Sequence, residues 1–298
     1  MVISIVGVPS SAGAYGVGQE RAPDALERAG LSTELRAAGV AVADGGRLPL
    51  ERFRPDPANR RQQNIDRVVG VARSVAERVG AIVDDGSIPL VVGGDCTLTL
   101  GVVAGVAARL PDVGLAYLDG DADLDTPRTT RSGILDAMGI AHLLAVDGAA
   151  RPLVEIGPRV PLLGGGRVAL VGYEPDDVHP RWGGLLDDAG VHRMPAGQIR
   201  GRPERAAAEV LSMLGRDAPV IVHFDVDVID SIDCPLAHFP HFNSGLSFDD
   251  AFAVFAGLCA ADRLSAITLT EVNPDHDPDG EQMRRLVRGV AEGVSRIL

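Results

Sequence analysis

The chain contains no lysine: all 28 of its basic side chains are arginine, set against 41 aspartates and glutamates. Its net charge of −13 at pH 7 argues against nucleic acid or an anionic membrane surface as partner, because both need clustered positive charge. A cationic small molecule or metal ions suit that balance better. The missing lysine reads as the coding bias of a GC-rich genome, not as a functional device. Only three cysteines occur, Cys96, Cys234 and Cys259. That number is too small, and odd, for a disulfide framework, so a reducing cytoplasm is the expected setting. No apolar stretch is long and clean enough to span a bilayer. The opening residues Met1–Pro9 lack a basic region and a small-residue cleavage site, and read as a first strand. There is no internal repeat and no linker long enough to divide the 298 residues, so one domain over 1–298 is expected.

What is present is an alternation of apolar runs and amphipathic stretches. Strand-like runs fall at Val2–Val8, Pro89–Val92, Val113–Leu118, Arg167–Val171, Val220–Phe224 and Ala266–Thr270. Helix-like periodicity covers Arg60–Val83, Thr97–Ala108, Pro203–Leu214, Asp249–Ala261 and Glu281–Ile297. The alternation predicts an α/β fold of three layers, with a doubly wound, mostly parallel sheet between helices. Ligands in such folds sit beyond the carboxyl ends of the strands. Loops are expected at Pro9–Gly18, Arg47–Asn59 and Pro152–Gly166, the first at the edge of the site.

Two aspartate runs follow apolar strands: Asp119-Gly-Asp121-Ala-Asp123-Leu-Asp125 and Asp225-Val-Asp227. Side chains alternate faces along a strand, so Asp225 and Asp227 point the same way, and so do Asp119, Asp121 and Asp123 if extension continues. Either run alone is equally well explained by helix capping or an Asx turn. Together they place five carboxylates at one sheet edge, where divalent cations with oxygen ligands are the simplest remedy for repulsion.

Four motifs in order carry a resemblance to a known family. They are Gly93-Gly94-Asp95-Cys96-Thr97, Asp119–Pro127, Asp225-Val226-Asp227 and Glu271-Val272-Asn273-Pro274, preceded by Arg21-Ala-Pro-Asp-Ala-Leu26. The chain resembles the arginase and agmatinase (ureohydrolase) family, closest to the arginase branch, along nearly its full length. The resemblance implies a homo-oligomeric hydrolase with two Mn2+ per chain, Fe, Zn or Mg being alternatives. A hydroxide bridging the metals attacks the guanidinium carbon of a small cationic guanidino or amidino substrate. Asp119 and Asp225 are implied to bridge both metals, Asp123 to bind the first and Asp227 the second. Glu271 is implied to accept from the substrate guanidinium. Asp125, Thr130 and Ser132 fall where arginases hold an α-carboxylate, and Asp177 roughly where they hold an α-amino group.

The sequence departs from the family at its three active-site histidines. Cys96 stands for the first metal's histidine, Asp121 for the second metal's, and Asp136 for the proton-shuttling one. Asp125 replaces an asparagine and should disfavour a carboxylate, so a substrate other than plain L-arginine is expected. Cys96 is expected to be a metal ligand, its pKa lowered by a helix N-terminus. The alternative for it is a small buried apolar residue. His223 shares a strand face with Asp225 and reads as a hydrogen-bonded core histidine or a partner of a ligand. His238 and His241 read as loop histidines, either of which could replace the lost proton shuttle. Two rival functions stand beside the hydrolase: a metal-free, non-catalytic binding or structural protein, and an enzyme with Cys96 as covalent nucleophile.

Overall fold

The computed structural model describes residues 1–176, 178 and 180–297. Eight strands make one sheet: β1 Val2–Gly7, β2 Ala41–Arg47, β3 Ile88–Val92, β4 Gly114–Leu118, β5 Val168–Val171, β6 His192–Met194, β7 Val220–Asp225 and β8 Leu264–Thr270. Their spatial order is β2-β1-β3-β8-β7-β4-β5-β6, and every neighbouring pair is parallel. The expected α/β fold is therefore present. Helices cover both faces, as the chain pattern requires for a sheet whose central strands are apolar throughout.

Alternation along each strand divides the core into two layers. Leu90, Val92, Ala116, Leu118, Val222 and Phe224 pack on one side with Phe252, Phe255 and Leu286. Val91, Leu115, Tyr117 and Ile221 pack on the other, against helices Ile65–Asp84 and Leu98–Ala107. Those two helices touch closely through glycine. A Cβ on Gly101 would lie 2.4 Å from the Ala72 carbonyl oxygen, and one on Gly105 2.6 Å from that of Ala76. Close approach buries helix Leu98–Ala107 on every side and fixes the turn before it.

Where expectation and structure differ, the reason is local. Both edge strands escaped the apolar-run criterion: β2 is Ala-Val-Ala-Asp-Gly-Gly-Arg, and β6 spans only three residues. The helix expected from Arg60 begins at Ile65, because Asn64 has φ 57° and Asp56 ties the preceding loop by accepting from the Asn59 and Asn64 amides. The last helix ends at Val294, and Ser295–Ile297 tightens into a 3-10 turn.

The topology sets the site. The chain leaves β3, skips two strand positions to β4, and later fills the gap with β7 and β8. The carboxyl ends of β3, β8, β7 and β4 thus stand side by side at the switch point, the usual ligand crevice of such sheets.

Candidate metal centre

Each of these four strand ends delivers acidic or sulfur donors. Cys96 lies in the turn from β3 into helix Leu98–Ala107, Asp119 just beyond β4, Asp225 at the end of β7, and Glu271 directly after β8. Register aligns them: Leu118 pairs with Phe224, Phe224 with Leu269, and Asp225 with Thr270. The Asp225 carboxylate accepts from the Asp227 amide at 2.8 Å, and that of Asp119 from the Asp121 amide at 2.6 Å. Each bond turns the chain sharply, so strand alternation stops there. Asp123 and Glu271 have positive φ, 46° and 61°, unusual for side chains with a Cβ. Such backbone persists where its surroundings over-determine it; here the Glu271 amide donates to the Gly94 carbonyl and its carbonyl accepts from the His238 amide.

Three donor groups result among the described residues. In the first, Cys96, Asp119, His223 and Asp225 bring one donor atom each within 4.8 Å of one another, all buried. In the second, Cys96, Asp136 and Glu271 do the same; Asp136 accepts from the Cys96 amide at 2.6 Å, and Glu271 accepts from the Gln19 side chain. In the third, His241 Nε2 lies 3.4 Å from Asp121 and 3.9 Å from Asp227, at the more exposed edge. Asp123 joins none of these groups among the described residues. Its carboxylate accepts instead from the Tyr117 hydroxyl.

Electrostatics mark the arrangement as unfinished without cations. Burial, then Asp227 and the other neighbouring carboxylates, raise the Asp119 pKa well above the ordinary range. Burial followed by Asp227 does the same to Asp225, and burial followed by Asp136 to Asp123 and Glu271. Asp227 is raised to about 6, by burial and then Asp121, and Asp136 to about 8, by burial and then Asp95. Glu271 Oε1 is buried with no hydrogen-bond partner. Buried, mutually repelling oxygens of this kind, with nitrogen and sulfur beside them, fit divalent metal ions chemically. The expected lowering of the Cys96 pKa does not occur. Burial and then Asp225 push this thiol well up, outweighing the helix terminus behind it. Only a cation among the carboxylates would favour its thiolate.

Asp121 of the third group also lines a cavity of about 520 Å³, with Asp123, Asp125, Arg131, Glu174 and Trp182 among its other walls. Asp125 accepts from Thr129 at 2.7 Å, so its carboxylate is held at the wall. Ser132 lines the same cavity, while the Thr130 hydroxyl accepts from the Gly133 amide at 2.9 Å and stands 3.4 Å from that of Ser132. Asp177 lies outside the described residues. The loop 9–18 reaches the site as anticipated: the Gly13 amide donates to Asp95 at 2.9 Å, and its carbonyl accepts from the Asp136 amide at 3.2 Å.

Sequence reasoning missed several participants. His241 was read only as a loop histidine able to replace the proton shuttle, and its place beside Asp121 and Asp227 gave no signal, since its loop is folded back by bonds such as Ser231 N to the His241 carbonyl, 2.8 Å. Tyr117, Gln19 and Thr270 were equally silent, being ordinary residues of a strand or turn. Arg131, the one cation on an otherwise acidic cavity wall among its described lining residues, was also overlooked.

The sheet order and the buried donors at its switch point define an α/β protein of ureohydrolase type. The chain belongs to the arginase family, whose family model matches residues 2–294. It is 29% identical to human arginase-1 over 289 residues, covering 96% of this chain and 89% of that protein. The crystal structure of arginase from Bacillus cereus superposes with a TM-score of 0.88 at 25% identity, covering 99% of this chain and 98% of the other. A more distant fold neighbour is a Trypanosoma cruzi formiminoglutamase variant solved with Mn2+, at a TM-score of 0.76, 18% identity and coverage of 99% and 92%.

Proposed function

We propose that the protein is a metal-dependent hydrolase that cleaves a linear C–N bond in a small guanidino or amidino cation, releasing urea or a urea-like product. The observation that carries this reading is the convergence of Asp119, Asp121, Asp225, Asp227 and Glu271 at one switch point, where Asp121 also lines an acidic cavity. Divalent ions held there would supply Lewis acidity and a water acidic enough to attack at neutral pH. Manganese is the first expectation from the family, and Asp119 and Asp225 would hold it with the donors beside them.

The chain's own residues account for the rest of the chemistry. Asp121, Asp123, Asp125 and Glu174 attract a cation into the cavity and repel a carboxylate. Glu271, with one oxygen fixed by Gln19 and Asp136 beside it, is the acceptor offered to guanidinium N–H groups. Asp136, buried beside Glu271, is the carboxyl placed to give a proton to a departing amine. It lies beside Glu271, the acceptor proposed for the substrate cation.

The experiment is a panel of guanidino and amidino compounds tested on manganese-loaded protein, with urea release measured. Substrates without a carboxylate should turn over at least tenfold faster than L-arginine. No turnover of any member by a fully loaded protein would defeat the proposal. One observation favours a second reading, a metal-free binding protein. Cys96 hydrogen-bonds to Asp225, and Tyr117 to Asp123, so protons can partly neutralise the group. Protein that remains metal-free at millimolar manganese would support it.

A further inference from the structure

We propose that the inner metal position is a four-donor site of Cys96, Asp119, His223 and Asp225, in which His223 takes the place that the family resemblance gives to Asp123. The inference rests on the metal-dependent reading above but concerns which residues bind and which metal they prefer.

Three distances carry it. His223 Nε2 lies 3.7 Å from Cys96 Sγ and 3.5 Å from Asp119 Oδ2, and Cys96 Sγ lies 3.9 Å from that same oxygen. Metal bonds of about 2.0–2.3 Å at tetrahedral angles separate such donors by about 3.4–3.6 Å. The three atoms therefore already stand near the spacing of donors around one ion. Between Cys96 and Asp225 the separation is 2.5 Å, closed by the thiol hydrogen bond. A cation would take the place of that proton, which leaves to solvent.

His223 is built to present one nitrogen. Its Nδ1 faces the Thr99 hydroxyl at 2.7 Å, which fixes the ring and leaves Nε2 toward the donors. Such a hydrogen bond behind an imidazole is what orients metal-binding histidines. Tyr117 stacks on the ring at 4.1 Å, nearly parallel, at 6°. The hydroxyl of that tyrosine binds Asp123 and so holds it apart from the group. A merely structural core histidine has no need to aim its free nitrogen at a thiol and a carboxylate. The imidazole absent from position 96 is thus returned from strand β7, two places away in the sheet.

A sulfur, a nitrogen and two carboxylates suit Zn2+, Co2+ or Fe2+ better than Mn2+. The test uses the full chain freed of metal and titrated separately with Co2+, Zn2+ and Mn2+. Cobalt should give a near-ultraviolet thiolate charge-transfer band and strong visible bands of a tetrahedral ion. Zinc should bind this position more than tenfold tighter than manganese. His223→Ala, and His223→Gln as a fuller replacement, should weaken cobalt binding more than tenfold, with folding checked by circular dichroism. Cys96→Ser should remove the charge-transfer band. Asp123→Ala should leave band and affinity within about twofold. Cobalt uptake without a thiolate band, or loss of the band in Asp123→Ala with retention in His223→Gln, overturns this inference and spares the hydrolase reading. Wild-type protein that takes up none of the three metals overturns both.

Discussion

Gly120 shows how a single missing Cβ shapes the outer donors. A Cβ there would lie 2.9 Å from His241 Cδ2 and 2.9 Å from the Asp227 carbonyl oxygen, too close for either. Its amide also donates to Asp227 at 2.9 Å. Gly120→Ala should therefore push His241 and Asp227 apart and weaken one metal equivalent about tenfold or more. His241→Ala should weaken the same equivalent, and adding Asp121→His should restore it by returning an imidazole to the family's position. Isothermal titration of manganese into the three proteins checks this; unchanged affinity in both single variants would remove His241 from the site. At Glu271 the prediction separates binding from turnover. Glu271→Gln should keep metal content while lowering kcat/KM for any guanidino substrate at least 100-fold, because a neutral amide cannot pair with the cation. The aspartate runs and Glu271 were legible in sequence because strand alternation and motif spacing are short-range. The place of His241 beside Asp121 and Asp227 and the Gln19 bond to Glu271 were not, since each is brought in over a long loop closure.

The strands deliver these residues, and their rigidity is a packing property. Phe224, one position before Asp225, lies against Phe252 and Phe255 at centroid distances of 5.1 and 5.0 Å and is fully buried. Phe224→Ala should cost about 3–5 kcal/mol from lost burial and the cavity left behind. The expected result is a lower melting temperature together with a weakened metal site, since β7 carries Asp225. Denaturant unfolding of the metal-free variant measures the first effect, and metal titration of the folded fraction the second. The central strands were recognisable as continuous apolar runs because both of their faces are buried. Strands β2 and β6 lie at the sheet edges, where one side needs no partner, and carry too little apolar residue to announce themselves.

Across the whole molecule the buried acids make stability depend on pH in an uncommon direction. Asp136 and Asp227 have folded pKa values of about 8 and about 6, above their unfolded values, and Asp95, Asp119, Asp123, Asp225 and Glu271 shift the same way. The folded chain therefore binds more protons than the unfolded one as pH rises past about 4, and loses stability through the folded pKa values. His223 and His142 act oppositely. Burial lowers them to about 3 and about 4, so they cost stability only below their unfolded value of about 6.5. Between pH 6.5 and 8 the histidine contribution is flat and the carboxyl contribution alone falls. Metal-free protein should accordingly melt several degrees lower at pH 8 than at pH 6.5, and saturating metal should reverse much of that loss. A melting temperature that rises over this interval without metal would contradict the assignment. The overall fold was legible from the alternation of segments; this proton balance was not, because it depends on which carboxyls the sheet brings together. The crowding at the switch point makes the centre an ion exchanger. Each ion that enters must expel protons already shared among the acids and the thiol, so loading in weak buffer should acidify the solution, and the apparent affinity should climb with pH by more than one power of ten per unit.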